Sequence, residues 1–229
     1  GSNIRIDARG NEVMRILPRL HEDINEEWIS DKTRYNYDGL RIKRLDRPWV
    51  KIKGKLVETS WEDAFLTIRK GLDGLNGREI AGIAGDLADM ESMYAMKDLL
   101  NQLGSQTVEC RQDGSQLESG TRAGYIFNSS IAGIEEADLC LLIGSNPRVE
   151  ATLINTRLRK SHIENGLKIA RIGEEDDLTY PVNHLGNNIN ILEELIEGKH
   201  KFSSELSSSQ RPMVILGAGV LARADGKAI

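Results

Sequence analysis

Cysteine is almost missing from this 229-residue chain, with Cys110 and Cys140 its only two. Two thiols so far apart make no disulfide framework, a pattern that fits a reducing compartment. They also cannot supply the four ligands of an iron–sulfur cluster. Both lie in apolar, strand-like stretches ("TVEC", "DLCLLIG") and read as buried, inert thiols. The four histidines, His21, His162, His184 and His200, are scattered, and none has a Cys or His at metal-ligand spacing. That speaks against zinc. No run of about 18 apolar residues is present, so no stretch reads as a membrane-spanning helix. The net charge of −5 gives phosphate no clustered basic surface, so no nucleic-acid partner is expected. A G-x-S-x-G elbow and a P-loop are both absent.

What is present is a globular composition, 39% hydrophobic and 28% charged. Residues 1–58 read as β-rich. Ile4 and Ile6 alternate, then the polar turn "DARGN" leads into "EVMRIL". In "WVKIKGKLVET", Lys53-Gly54 separates two alternating runs and predicts a second hairpin. Between the hairpins, residues 21–48 predict a charged loop region with a short helix, anchored by Trp28, Tyr35 and Leu45.

Residues 59–229 change character. Ser60 is a helix N-cap with Asp63 three positions on, close to a capping box, and Ala64, Phe65, Ile68 and Leu72 follow at helical spacing. Five short apolar runs come next: "EIAGIAG", "TVEC", "LCLLIG", "LKIARIG" and "MVILG". Helical stretches lie between several of them, the clearest being "ADMESMYAMKDLLNQLG", whose Met and Leu stripe reads as core packing. "EATLINTRLRKSHIENG" and "NINILEELIEG" also end at Gly. Strand alternating with helix predicts an α/β fold, a doubly wound, mostly parallel sheet covered on both faces. Both ends read as cut: "GSNIRID" enters a strand at once, and "VILGAGVLARADGKAI" stops inside a strand-to-helix unit.

Four runs end in Gly, at Gly85, Gly144, Gly173 and Gly217, and in such a sheet the following loops gather at the carboxyl edge. "GAGVLA" matches G-x-G-x-x-A, but no acidic residue follows about twenty positions on to hold a ribose. "GSNPR", with Gly144, Ser145, Asn146 and Arg148, is the better anion candidate. Its plain alternative is a turn opening a helix. The carboxylates of "GEEDD" would repel a phosphate, and read more simply as a solvated loop than as a cation site.

"INEEWISDKTR", residues 24–34, is dense in polar groups yet holds no Cys and no His. Together with "VMRILPR", "HEDINEEWISDKTR", "YDGL", "TSWEDA", "IAGIEEAD", "LLIGSNPR-x-E", "LTY", "HLG" and "PMVILG", it resembles the large iron–sulfur subunit of respiratory complex I along the whole chain. That family's later portion is similar to molybdopterin oxidoreductases, whose pattern V-N-E-G-x-L-C-x-K-G-R carries a cluster-binding Cys. Here Ser30 stands at that Cys position and Thr33 at a Gly, with Lys32 between them.

The resemblance implies two regions, 1–58 similar to the cluster-binding lobe and 59–229 an incomplete Rossmann-like domain. It implies a segment of NADH:quinone oxidoreductase acting as a scaffold, with no cofactor of its own. The [2Fe–2S] and [4Fe–4S] clusters of the full-length subunit belong to a portion nearer its N-terminus. Ser30, Lys32, Gly144, Ser145, Asn146 and Arg148 are then vestigial positions. The comparable molybdenum-facing loop is "AGDLADMES", with Asp86 and Asp89 nearby and no thiol. Implied partners are other complex I subunits, notably the flavin-bearing NADH-oxidising subunit and the peripheral-arm subunits, without direct membrane insertion. The implied place is peripheral, on the cytoplasmic face of a bacterial inner membrane or the matrix side in a mitochondrion. The competing readings are an active, pterin-binding molybdopterin-type oxidoreductase domain and a free-standing nucleotide-binding module. Residues 21–48 and 174–187 are the candidate contact surfaces.

Overall fold

The structure is a computed structural model that describes residues 1–110, 114–117 and 120–229. The chain divides into two compact units, residues 1–37 with 113–229, and residues 38–112.

The first unit opens with an antiparallel hairpin of β1 (Ile4–Arg9) and β2 (Glu12–Pro18), bulged between Asp7 and Ala8. The strands run closer together than the expected five-residue turn, leaving Gly10-Asn11 as the connection, with Gly10 at φ 61°. A short helix, α1 (Asp31–Tyr35), follows as expected. Trp28, Tyr35 and Leu45 are exposed and do not anchor the stretch. Its buried residues are Asn25 and Ile29. Size does not decide burial here, because a buried Asn can satisfy several backbone groups at once.

In the second unit, β3 (Trp49–Ile52) and β4 (Lys55–Glu58) form the expected hairpin. Lys53 at φ 48° and Gly54 at φ 82° make the turn, the double positive φ of a type I′ connection. Helix α2 (Trp61–Leu72) starts at Ser60, whose side chain accepts from the Asp63 N–H. Strand β5 (Ala81–Ile83), helix α3 (Met90–Gln102) and strand β6 (Thr107–Glu109) form a β–α–β unit whose two strands pair in parallel. Gly82 lets α3 settle on β5, since a Cβ there would lie 2.2 Å from Leu100 Cδ1.

The remaining strands build the main sheet of the first unit. They are β7 (Leu139–Ile143), β8 (Lys168–Ile172), β9 (Asn183–Gly186) and β10 (Pro212–Leu216), all parallel in the order β10-β7-β8-β9. Between β7 and β8 run α4 (Pro147–Glu150) and α5 (Thr152–Asn165), the latter ended by Gly166 at φ 73°. Helices α6 (Ile191–Ile196) and α7 (Ser203–Ser208) lead to β10, and α8 (Ala218–Leu221) follows it. One face of the sheet buries Cys140, Leu142, Ile169 and Met213 against Ile134, Leu158 and Leu178. The other buries Leu141, Ile143, Ala170 and Ile172 against Ile191, Leu195, Phe202 and Val220. Both faces are therefore covered, as a doubly wound α/β sheet requires.

Two expectations need correction. The five apolar runs do not share one sheet: β5 and β6 pair with each other, and the fourth strand of the main sheet is β9, whose polar "NHLG" carries no strand signal. Helix α7, "SSELSS", carries no helical signal in its sequence either. Cys140 is buried, its thiol pushed up to about 12 by desolvation. Cys110, however, is exposed, as are all three residues of β6 just before it.

Candidate functional site

The Ser30 stretch is held from within by Asn25. Its side-chain oxygen accepts from the Asn3 backbone N–H (2.9 Å) and the Asn3 amide (3.0 Å), and its NH2 donates to the carbonyls of Arg19, Glu26 and Trp28 (3.1–3.2 Å). One buried amide thus satisfies the turn that delivers residues 28–30. Ser30 is the N-cap of α1, its Oγ accepting from the Thr33 N–H at 3.2 Å and lying 3.1 Å from Thr33 Oγ1. Both departures from the cluster-binding pattern, Ser30 and Thr33, meet in this one cap. Lys32 is exposed on the rim of a cleft of about 410 Å³ that also takes in Ser30, Asp31, Glu150 and Thr152.

An ion cluster fixes this stretch to α5. Arg157 is 4% exposed and donates to Glu135 Oε1 at 2.5 Å and to the carbonyls of Glu22 (2.7 Å) and Ile24 (3.3 Å). Lys160 bridges Glu26 (2.5 Å) and Glu135 (3.0 Å). Burial works against the Glu135 carboxylate, but the hydrogen bonds from Arg157 and Lys160 together hold its pKa below the usual range. The Lys160 ammonium is held above its usual range, first by Glu26 and then by Glu135. Nothing in the sequence pattern marked Arg157, since a charged residue on a helix ordinarily reads as a solvated one.

At the carboxyl edge, β8 and β9 lie on one side of β7 and β10 on the other, so the switch point falls between β7 and β10. In an open α/β sheet that is where a ligand binds. A Cβ on Gly144 would lie 1.9 Å from Val220 Cγ2, and one on Gly217 would lie 2.1 Å from the Gly144 carbonyl oxygen. These glycines let α8 approach the strand ends, and Gly144 and Val220 both line the cavity that remains there. The anion position of "GSNPR" is taken. Glu150 Oε1 accepts from the Asn146 N–H at 3.1 Å, and Oε2 from Ser145 Oγ at 3.2 Å. Arg148 is turned away, its Nη1 donating to the Asp177 carbonyl (2.8 Å) and carboxylate (2.9 Å).

Two of the four carboxylates of "GEEDD" serve arginines, Asp176 on Arg171 at 2.6 Å and Asp177 on Arg148. Asp177 is held below the usual carboxylate range, first by the Thr179 N–H and then by Arg148. Beside the strand ends lies a cavity of about 570 Å³ lined by Ser145, Asn146, Glu150, Arg171 and Asp176, among others. Among the described residues, three buried side-chain atoms have no hydrogen-bond partner: Asn146 Oδ1 and Arg171 Nε and Nη1. Both residues line that cavity.

The other candidates are spent locally. Asp89 caps α3 through the Ser92 N–H (2.7 Å), and Asp86 is exposed. The rings of His162, His184 and His200 each bond backbone, at Leu167 O, Gly173 O and Phe202 N. The structure thus brings Ser30 and Lys32 to one cleft and Gly144, Ser145 and Asn146 to one cavity, with Glu150 on both.

A [4Fe–4S] cluster does not fit residues 1–38, because no cysteine occurs before residue 110. In the "GSNPR" loop, the Asn146 N–H and the Ser145 hydroxyl already serve Glu150. Among the described residues, no helix is long and apolar enough to cross a membrane.

Residues 1–38 match the 4Fe-4S domain model of NADH-ubiquinone oxidoreductase NDSU1/NuoG-like proteins. The chain is 49% identical over 229 residues to the G subunit of NADH-quinone oxidoreductase from Rickettsia felis, all of this chain and 34% of that protein. It is 47% identical to the protein of the same name from Rickettsia bellii, again covering 34% of it. It is also 47% identical over 230 residues to the mitochondrial NADH dehydrogenase [ubiquinone] iron-sulfur protein 1 of Solanum tuberosum, covering 31% of that protein. The chain therefore spans about a third of the length of these relatives. Residues 44–229 match the molybdopterin oxidoreductase model, and the chain belongs to the molybdopterin oxidoreductase family.

Proposed function

We propose that this chain is a segment of the large iron–sulfur subunit of the proton-pumping NADH:quinone oxidoreductase, and that the segment is a structural scaffold without a redox centre of its own. The observation that carries this reading is Ser30. At the family's cluster-ligand position stands a hydroxyl that caps a helix, in a chain with no thiol before residue 110. A thiolate binds iron because it is soft and anionic, and an alcohol of very high pKa does not replace it. In this reading Ser30, Lys32, Gly144, Ser145, Asn146 and Arg148 are former cofactor positions kept for the fold. Electron-carrying clusters then belong to the rest of the subunit. Its partners are the flavin-bearing, NADH-oxidising subunit and the peripheral-arm subunits, and its place is the cytoplasmic face of the bacterial inner membrane, or the matrix side in a mitochondrion.

The test is iron, sulfide and molybdenum analysis after anaerobic reconstitution. The expected result is substoichiometric metal and no visible absorption. Stoichiometric metal, or a band that bleaches with dithionite, overturns the reading.

The second reading is a ligand-binding domain, for a nucleotide or a pterin, and the unpartnered Arg171 and Asn146 atoms beside the 570 Å³ cavity favour it. Titration with NADH discriminates. Ligand at ten times its dissociation constant stabilises a fold by about 1.4 kcal/mol, which appears as a higher melting temperature. The scaffold reading expects no such rise.

A further inference from the structure

Seven of the chain's 30 Lys and Arg fall within residues 41–55, against one of its 35 Asp and Glu. They occupy the stretch leading into β3 and the β3–β4 hairpin, within the second unit, and all seven are exposed. Arg41 is paired with Asp38, and Arg47 with Asp46 and Glu58. Among the described residues, Lys43, Arg44, Lys51, Lys53 and Lys55 have no ion pair. Apolar side chains are open on the same hairpin. Lys51 lies opposite Leu56 and Trp49 opposite Glu58, so these four share one face, and the acid among them is taken by Arg47. Leu56 is 67% exposed and Trp49 45%. Two of the lysines sit on left-handed backbone, Lys43 at φ 51° and Lys53 at φ 48°. Lys53 holds the first central position of the type I′ turn, which Asn, Asp and Gly take most readily. A cation kept at a strained position, with no acid of its own, points to something outside the fold. An exposed apolar patch rimmed by polar groups marks an interaction site.

We infer that this face of the β3–β4 hairpin docks an acidic, partly apolar face of a different polypeptide in the same assembly. Lys51 and Lys53 meet its carboxylates, and Trp49 and Leu56 meet its apolar side chains. Lys43 and Arg44 add to the field that draws it in. The occupant is argued from the charges. Residues 59–110 of the same unit hold nine Asp and Glu against four Lys and Arg, and the whole chain carries −5. An extended polyanion, such as a nucleic acid or an anionic bilayer, lies across that neighbouring acid as well as on the patch. A compact protein face, of about 800 Å² in a standard interface, is matched to the patch alone. The inference rests on the proposed place of this chain in a multi-subunit enzyme and holds whether or not the segment carries a redox centre.

The test is amine acetylation read by mass spectrometry, with carbodiimide cross-linking, which joins lysine amines to carboxylates. Both are applied to the 229-residue chain, the full-length subunit and the assembled enzyme. Lys51 and Lys53 are expected to react freely in the first two, and about tenfold more slowly in the third, where the interface excludes solvent. There they are also expected to cross-link to Asp or Glu of a different polypeptide. Lys55 pairs with Ile52 on the opposite face of the hairpin and is expected to keep its reactivity throughout. Equal reactivity of Lys51 and Lys53 in all three forms shows a solvated face and overturns the inference. Protection already present in the full-length subunit overturns it in favour of that subunit's own polypeptide. Protection of the full-length subunit by RNA or by vesicles containing anionic lipid overturns it in favour of those surfaces. A subunit absent from the purified enzyme overturns the proposed function with it, whereas a subunit present with reactive lysines overturns the inference alone. A variant supplies an independent readout. Lys53→Asn suits the turn, so the melting temperature of the 229-residue chain is expected to be equal or higher. The variant subunit is expected to leave the enzyme at lower salt, and release at unchanged salt overturns the inference.

Discussion

Two parallel sheets in one chain, built from similar apolar runs, end up in opposite environments. Every residue of β7, "LCLLI", is buried, whereas "AGI" of β5 and "TVE" of β6 have none buried. Composition does not separate them, because "EIAGIAG" and "LKIARIG" are nearly alike as sequence. Neighbours do. Strand β7 lies between β8 and β10, with helices on both faces, while β5 has β6 for a partner and α3 for a cover. An apolar run announces that a strand is meant to be buried, but the rest of the polypeptide decides what buries it.

The largest expected effect comes from cutting the tie that gives the 21–30 stretch its place in the well-buried unit. Arg157→Ala removes a buried guanidinium, leaves the carbonyls of Glu22 and Ile24 without that donor, and leaves Glu135 with Lys160 alone. Breaking a buried pair by removing one partner costs about 3–5 kcal/mol. Urea denaturation should show that loss, and amide exchange should place it in residues 19–30. A loss confined to α5, with 19–30 unaffected, would show that the cluster is not what fixes the stretch.

Next in size is the contrast between the two sheets themselves. Leu142 is fully buried, so Leu142→Ala is expected to cost about 2–5 kcal/mol through lost burial and the cavity left behind. Phe65→Ala, at a residue of α2 that is 60% exposed, is expected to change the stability of the 229-residue chain by no more than about 0.5 kcal/mol. Comparable losses for the two would mean that Phe65 is covered in this chain.

Much of this was legible in the sequence, and the parts that were not share a cause. Both hairpins, α3, α5 and the cap of α2 follow from local chemistry, such as Lys53-Gly54, Ser60 with Asp63, and Gly166. Strand β9 was invisible because "NHLG" is polar and is recruited by the register it finds beside β8. Trp28 misled because its exposure depends on neighbours that no local pattern describes. At the site, Gly144 and Gly217 are points of close approach. What approaches is Val220 and the chain's own backbone, and the anion that fills the loop is Glu150, only four residues beyond Asn146. The signal for that was in "GSNPRVE" itself, a carboxylate within reach of the N–H groups it could satisfy.

A smaller effect is expected at Ser30. Ser30→Ala removes the oxygen that accepts from the Thr33 N–H and should cost about 1 kcal/mol, the usual loss of an N-cap. Ser30→Cys tests the vestige directly. A single restored thiol has no partner ligands in residues 1–38, so reconstituted protein should remain colourless.

The smallest effect concerns acid. Glu135 is held below its ordinary value of 4.5 because Arg157 and Lys160 outweigh the cost of its burial. A carboxyl whose pKa is lower folded than unfolded contributes stability that is present above the unfolded value and lost as pH falls through the folded one. The window therefore lies below about 4.5, and near neutral pH the contribution is full and flat. Glu135→Gln removes the titration but keeps an oxygen that can accept from Arg157. The variant should be less stable than the parent at pH 7, and the gap should close as the pH is lowered through 4. The side chain is 30% exposed, so solvent screens part of the interaction, and the gap should be narrower than the one Arg157→Ala opens. Melting temperatures from pH 3 to pH 7 measure it. A gap of constant width across that range would mean that the cluster holds Glu135 by shape and hydrogen bonding alone, without a charge that titrates.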